Sequence, residues 1–212
     1  PRMRLLGAVG QIDVVQANVR DMPSLERALE GATASLNLVG VLFDTGRQGF
    51  EAAHVEGAHN VARAARTMGV TRVVQMSALG ADPASPSKYA RSKAAGEAAV
   101  RAVYPDAAIV RPSIVFGSGD GFFERFAAMA QISPALPLVG GGATRFQPVF
   151  VGDLGQALAR IVTDPACAGQ TYELGGPGAY SFKELLEKLL AETGQRRLLL
   201  PIPFGAASLL GA

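Results

Sequence analysis

The chain has 212 residues, of which 49% are hydrophobic and 18% charged, and its formal net charge is +2. This length suits a globular domain with a buried core, and the small net charge with scattered Lys and Arg argues against a nucleic-acid partner. The single cysteine, Cys167, excludes an internal disulfide, and the two histidines are not spaced as paired helical ligands, so we expect no metal site.

Along the first half of the chain, short apolar runs alternate with helical patterns. Strands are predicted over 12–16, 34–39, 72–76 and 107–110, and helices over 21–30, 49–68 and 87–103. The first helix begins at Asp21, a side chain suited to a helix N-terminus, with Pro23 in its first turn. This alternation predicts an α/β fold of the Rossmann type, a doubly wound parallel sheet with helices on both faces.

After Arg111 the pattern is less regular. Helices are predicted over 122–130, 153–162 and 182–193, a strand over 171–174 and a loop over 138–142. We therefore divide the chain into a core, residues 1–111, and a C-terminal part, residues 112–212. The C-terminal part is expected to complete the sheet and to form a small lobe over the strand ends, where doubly wound sheets bind ligands.

The most apolar stretch of the chain is 198–212, which Pro201 and Pro203 interrupt. No run of apolar residues is long enough to span a bilayer. A stretch of this kind is typically buried, and a surface that faces a membrane or a partner is the alternative interpretation.

A tyrosine and a lysine carry the clearest chemical signal in the sequence. Tyr89 and Lys93 are four residues apart in a predicted helix, so their side chains are neighbours on one face. A nearby ammonium favours the phenolate and lowers the tyrosine pKa, which suits a general acid/base for a carbonyl or an alcohol. Ser77, after the preceding strand, is placed to hydrogen-bond the same substrate oxygen. The alternative is two solvated residues on an ordinary helix.

In this context the chain resembles the short-chain dehydrogenase/reductase superfamily, in its extended or atypical branch (NAD-dependent epimerase/dehydratase-like), over nearly its whole length. The cofactor-binding residues that the resemblance implies are Asn18, Val19, Leu38, Val39, Gly40, His54, Ser77, Tyr89, Lys93, Pro112, Ser113 and Ile114. Asn18 and Val19 would border the adenine. The segment 38–40 would lie beside the ribose and pyrophosphate, and the segment 112–114 beside the nicotinamide carboxamide. Ser77, Tyr89 and Lys93 would be the catalytic residues.

Four segments resemble more narrowly the family of nucleotide-binding accessory subunits of respiratory complex I (alpha subcomplex, subunit nine). They are 87–97, 111–117, 146–149 and 199–204. This resemblance implies a bound NADPH, or NAD(H), and contacts with complex I subunits. It also implies a position peripheral to the membrane, on the cytoplasmic side of a bacterial inner membrane or on the matrix side of a mitochondrial one. Finally, it implies that the protein turns over no substrate.

The chain departs from the superfamily pattern at two places. The first strand, the Gly-rich phosphate loop and the second strand are expected before Pro1, so residues 1–111 are interpreted as a partial dinucleotide-binding core. Residues 7–10 precede a predicted strand, whereas a phosphate loop follows one and opens a helix, so we expect a surface turn there. His54 stands where the superfamily usually has Asn, and it either joins a proton relay or has no role.

Three functions are compatible with these residues. The one we favour is a structural subunit of complex I that binds a cofactor. In this function Tyr89 and Lys93 bind the ribose and catalyse no reaction. The second is a free NAD(P)-dependent oxidoreductase or a sugar-nucleotide-type epimerase/dehydratase. In it, Tyr89 transfers the proton, Lys93 lowers the pKa of Tyr89, and Ser77 hydrogen-bonds the substrate oxygen. The third is a partner-binding scaffold that uses the fold without a cofactor.

Overall fold

The computed structural model describes residues 7–8, 10–44 and 46–203. The α-helices of this part are α1 (Met22–Leu29), α2 (Gly57–Thr67), α3 (Lys88–Val103), α4 (Phe123–Ile132), α5 (Val151–Thr163) and α6 (Phe182–Glu192). Its strands are β1 (Ala34–Asn37), β2 (Arg72–Met76), β3 (Ala108–Pro112), β4 (Val115–Phe116), β5 (Ala135–Val139), β6 (Arg145–Phe146), β7 (Val149–Phe150), β8 (Thr171–Leu174), β9 (Tyr180–Ser181) and β10 (Leu198–Ile202). A π-helical turn, Glu51–Glu56, runs directly into α2.

The described residues form two compact units. The first comprises the chain up to Arg111 together with Ala159–Tyr172, and the second comprises Pro112–Leu158 together with the chain from Glu173 onward. The division at Arg111 that the sequence predicts places 159–172 with the C-terminal part instead. This segment belongs to the first unit because it leads into β8, which joins the sheet of that unit.

The first unit is built on a sheet with the strand order β1-β2-β3-β8. β1 and β2 are parallel, with Ala34 opposite Arg72, and β2 and β3 are parallel, with Val74 opposite Ala108. The consecutive residues Val73 and Val74 are both buried. Since neighbouring residues of a strand point to opposite faces, both faces of the sheet are covered at β2. The α/β fold of the Rossmann type that the sequence predicts is confirmed.

Small side chains bring the long helical segment close to this sheet. Ala58, Ala62 and Ala65 on α2 are buried with Val73 of β2 and Val100 of α3 in one apolar cluster. The three alanines recur at helical spacing, so a single face of α2 contributes them. The burial of this face fixes the position of the residues that precede α2, including the π-helical turn.

Residues 12–16 do not form the strand that their sequence predicts. They have no strand partner in the part of the chain that the structure describes, and Val14 and Val15 are 45% and 51% exposed. A strand is stabilised by hydrogen bonds to a neighbouring strand, which a local apolar pattern cannot supply. The strand prediction is therefore wrong for this segment. In the segment 7–10, expected as a surface turn, Val9 lies outside the described residues. The Gln11 N–H donates to the Ala8 carbonyl (3.1 Å).

The second unit has its own core of leucine and phenylalanine side chains. Leu136 of β5 and Leu186 of α6 are fully buried, and Phe122, Phe126 and Phe182 pack with ring centroids 5.2 to 6.1 Å apart. Edge-to-face packing of this kind adds to the stabilisation that burial provides.

Two sequence predictions for this unit need correction. Leu138 and Val139 end β5, so the predicted loop begins only at Gly140, the first of three glycines with positive φ. Residues 198–202 form β10, which pairs in parallel with β5, and Leu198 and Leu200 are exposed where burial was expected. The sequence does not predict this strand because Pro201 interrupts the apolar run. Proline is nevertheless compatible with a strand that has one free edge.

No helix in the described ranges is both long enough and apolar enough to cross a membrane.

Candidate functional site

A capped helix N-terminus determines where the Tyr–Lys pair stands. The Ser87 hydroxyl accepts a hydrogen bond from the Ala90 N–H (3.4 Å), and α3 begins at the next residue. Tyr89 and Lys93 therefore lie one turn apart, with the Lys93 Nζ atom 5.8 Å from the centroid of the Tyr89 ring. Lys93 is only 7% exposed. The structure thus brings the two predicted side chains together at the start of a buried helix face.

The electrostatics of the pair differ from the sequence-based expectation. Burial raises the pKa of the Tyr89 phenol above its ordinary value. Burial also lowers the pKa of the Lys93 ammonium, and the Glu97 carboxylate opposes that shift. The expected lowering of the Tyr89 pKa is wrong, because removal of the phenol from water disfavours its charged form more than the nearby ammonium favours it.

The turn after β1 lies directly against Lys93. A Cβ atom at Gly40 would stand 3.1 Å from the Lys93 Nζ and 3.5 Å from the His54 Nε2. Upstream, the Asn37 amide donates to the buried Gln75 side chain (2.8 Å), and its oxygen accepts from the Val39 N–H (3.1 Å). Three predicted cofactor residues, Gly40, His54 and Lys93, therefore meet at the end of β1.

His54 is buried in a network that joins this turn to α3. Its Nε2 accepts a hydrogen bond from the Val41 N–H (3.0 Å), and its Nδ1 lies 2.9 Å from the Ser92 Oγ. The Ser92 hydroxyl donates to the Tyr89 carbonyl (2.8 Å). The His54 ring stacks on Phe50 at 5.3 Å and meets the edge of Tyr89 at 5.5 Å.

Ser77 binds a buried ion pair. Its hydroxyl donates to the Glu97 carboxylate (2.5 Å), which also accepts from the Arg111 Nε (2.8 Å) and Nη2 (2.7 Å). The hydroxyl that the sequence assigned to a substrate oxygen is thus engaged with Glu97, and its catalytic role stays a prediction. Sequence reasoning missed Glu97 and Arg111. Glu97 follows Lys93 by one helical turn, and this spacing was the signal that could have found it.

A cavity of about 770 Å³ lies beside Asn18 and Val19. Val39, Arg20 and Arg27 also line it, so it joins the predicted adenine residues to the end of β1. The Asn18 side-chain oxygen accepts from the Arg20 N–H (3.0 Å). The volume falls within the range of ordinary small-molecule sites.

The three remaining predicted residues belong to the second unit or to its border. Pro112 is the last residue of β3. The Ser113 N–H donates to the Leu174 carbonyl (2.9 Å), and the Ile114 carbonyl accepts from the Val149 N–H (2.9 Å). Among the residues that the structure describes, no group of three or more His, Cys, Asp or Glu side chains is arranged to hold a metal ion.

Known proteins resemble this chain in sequence and in fold. A family model described as "NAD dependent epimerase/dehydratase family" matches residues 3–175. A subunit 9 of the mitochondrial NADH dehydrogenase (ubiquinone) 1 alpha subcomplex, from Arabidopsis thaliana, is 35% identical over 209 residues, which are 97% of this chain and 52% of that protein. A ceramide reductase from Caulobacter vibrioides is 30% identical over 197 residues, 91% of this chain and 60% of that protein.

A dTDP-glucose 4,6-dehydratase from Streptomyces venezuelae, solved with NAD and TYD bound, superimposes with a TM-score of 0.82 at 24% identity, over 96% of this chain and 71% of that chain. This likeness concerns the fold alone. The chain spans about half the length of the curated relatives it matches.

Proposed function

Because this chain belongs to the NAD dependent epimerase/dehydratase family, we propose that it is part of a nucleotide-holding accessory subunit of respiratory complex I. The relatives from Arabidopsis thaliana and mouse, both NADH dehydrogenase subunits, support complex I as the partner. In this proposal the protein lies peripheral to the membrane, on the cytoplasmic side in a bacterium or the matrix side in a mitochondrion. The nucleotide contributes to stability by binding the folded state.

The observation that carries the proposal is the environment of Tyr89. Burial raises the pKa of its phenol, so the side chain is protonated at neutral pH. The Ser77 hydroxyl, the third group a reductase would use, is engaged with Glu97. A phenol and an ammonium are both hydrogen-bond donors, which suits the hydroxyl oxygens of a ribose. A reductase would use the same protonated phenol as its acid, so the engagement of Ser77 is what favours the structural role.

We propose NADPH as the nucleotide. Arg20 and Arg27 line the cavity that also contains Asn18 and Val19, the residues assigned to the adenine. Two guanidinium groups near the adenosine end match the charge of a 2′-phosphate. NAD(H) is the alternative, and an Arg27→Ala variant distinguishes the two. If the proposal holds, this change weakens NADPH binding and leaves NADH binding unchanged.

A native gel of mild-detergent membranes, prepared from cells that carry the intact tagged protein, tests the partner. Migration of the tag with NADH dehydrogenase activity is the expected result, and extraction of that band should yield NADPH. A tag that runs alone would contradict membership of the complex.

A free reductase or epimerase is the second candidate, and the close approach of Lys93 to Tyr89 favours it. The ceramide reductase among the relatives is consistent with this reading. A Tyr89→Phe variant separates the two functions. The structural subunit should lose about fivefold in nucleotide affinity, as expected for one hydrogen bond, and keep NADH oxidation by the complex. Loss of turnover on any substrate would favour the enzyme.

A further inference from the structure

We infer that His54 is a positioning residue that clamps the Gly40–Val41 turn against the Lys93 ammonium and so sets where the ribose of the nucleotide is held. The inference rests on the proposed nucleotide-holding function, and it assigns His54 a role that is neither a proton relay nor a passive helix position.

The hydrogen bonds determine which ring nitrogen carries the proton. The Val41 N–H donates to the His54 Nε2, so this nitrogen must offer a lone pair. The hydrogen of a neutral imidazole therefore sits on Nδ1, from which it is donated to the Ser92 Oγ. Ser92 in turn donates to the Tyr89 carbonyl. One side chain thus connects the turn after β1 to the first turns of α3.

The turn that His54 holds lies close to the Lys93 side chain. Gly40 lies so close to Lys93 that even a methyl group there would stand 3.1 Å from Nζ. If the Val41 hydrogen bond were lost, the turn would be released from the side of the cavity that Val41 also lines. The ammonium and the turn are therefore fixed relative to each other through the imidazole.

Both the backbone and the ring of His54 are held in place. Gly96 on α3 faces the His54 carbonyl so closely that no Cβ atom fits between them. The ring is stacked on Phe50 and packed against the edge of Tyr89. His54 lies within the π-helical turn Glu51–Glu56, which runs directly into α2.

A proton relay does not fit this arrangement. Both ring nitrogens are engaged within the protein, and only 2% of the residue is exposed. Protonation of Nε2 would break the bond to Val41 and place a second positive charge beside Lys93. Burial and Lys93 accordingly lower the pKa of His54 to about 4, and the Asp44 carboxylate opposes this shift.

Two variants of the intact protein separate the ring from its hydrogen bonds. His54→Phe keeps the stacking on Phe50 and removes both hydrogen bonds, whereas His54→Gln keeps an acceptor and a donor and removes the ring. Isothermal titration with NADPH should show about tenfold weaker binding for His54→Phe, because the hydrogen bond that holds Val41 at the cavity is lost. His54→Gln should recover most of the affinity. His59→Gln, which changes the other histidine, is the matched control and should equal the wild type.

NMR of the intact protein with labelled histidine imidazoles measures the tautomer of His54, a property that correct folding alone does not determine. The expected spectrum at pH 7 shows His54 with hydrogen on Nδ1 and a bare, hydrogen-bonded Nε2. A His54 with hydrogen on Nε2, or a His54→Phe variant that folds and binds NADPH within twofold of the wild type, would overturn the inference. Failure of the wild type to bind any nucleotide would overturn the proposed function instead, and the tautomer would still decide whether His54 holds the turn.

Discussion

The carboxylate of Glu97 accepts hydrogen bonds from two different residues. Ser77 donates a hydroxyl to it, and Arg111 donates two N–H groups in a bidentate arrangement. The Glu97 side chain is 9% exposed in this pair. Because an ion pair at such a position has lost much of its water, removal of one charge costs more than removal of a charge at the surface.

We expect Glu97→Gln to lower the free energy of unfolding by about 2 kcal/mol, because the amide cannot satisfy the Arg111 guanidinium as a carboxylate does. Urea denaturation of the intact protein measures the change. Glu187→Gln is the matched control, since it breaks the exposed pair with Lys183 (3.6 Å). That change should stay within about 0.5 kcal/mol. Equal effects of the two changes would contradict the buried pair.

The low pKa of His54 predicts a pH dependence of stability. The pKa is about 4 in the folded protein and 6.5 in the unfolded chain, so the unfolded chain takes up the proton first as the pH falls. The contribution is complete above about pH 6.5 and is lost between pH 6.5 and 4, by about 3 kcal/mol at most. Denaturation at several pH values should show this loss in the wild type and a smaller one in His54→Gln. Parallel curves would contradict the low pKa.

At the scale of the elements, the contact between α3 and the π-helical turn depends on the absence of a side chain. A Cβ atom at Gly96 would collide with the His54 carbonyl, a backbone atom that cannot turn aside. Glycine weakens a helix relative to alanine, so its presence in the middle of α3 has a local cost that the close packing offsets.

We expect Gly96→Ala to destabilise the protein by about 1–3 kcal/mol, the usual cost of forcing an extra carbon into a packed interior. Gly155→Ala in α5 is the matched control, because apart from the chain next to it and the backbone of its own helix no atom lies within 4 Å of the Cβ position there. This second change should stabilise by about 0.5–1 kcal/mol through helix propensity. Thermal denaturation of both variants is the measurement, and a stabilising Gly96→Ala would contradict the close contact.

The elements differ in how far sequence could predict them. β2 and β8 have the bounds that the sequence predicts, because each is a short run of suitable residues closed by turn signals. The segment 12–16 shows the same local pattern, but its pairing depends on residues far along the chain, which periodicity cannot provide. β10 was missed because Pro201 is a breaking signal in sequence and a tolerated residue at a free edge.

The features of the candidate site also differ in how far the sequence could predict them. The spacing of Tyr89 and Lys93 predicted their proximity, since a helix fixes it locally. The direction of the Tyr89 pKa shift and the partner of Ser77 depend on burial and on helix packing against the sheet. Such tertiary properties are absent from the residue pattern, which is why both expectations required the structure.

At the scale of the whole molecule, apolar side chains are distributed unevenly between interior and surface. Leu136 of β5 is fully buried in the second unit, whereas Leu200 of the adjacent β10 is exposed. We expect Leu136→Ala to cost about 2–5 kcal/mol through lost burial and the cavity left behind. Leu200→Ser should change stability by less than about 0.5 kcal/mol. Chemical denaturation compares the two, and a large loss in Leu200→Ser would contradict the exposure of that strand face.

β1 is the outermost strand of its sheet, and no strand in the described ranges pairs with its outer side. Leu38 and Phe43, each 56% exposed, follow it closely in the chain. Uncovered backbone groups beside apolar side chains are a template for another copy of the same strand. If this side is open in the 212-residue chain, light scattering should show oligomers that grow with concentration, and a monomer at every concentration would show that it is covered. Leu38→Lys should suppress this aggregation through charge repulsion between neighbouring copies.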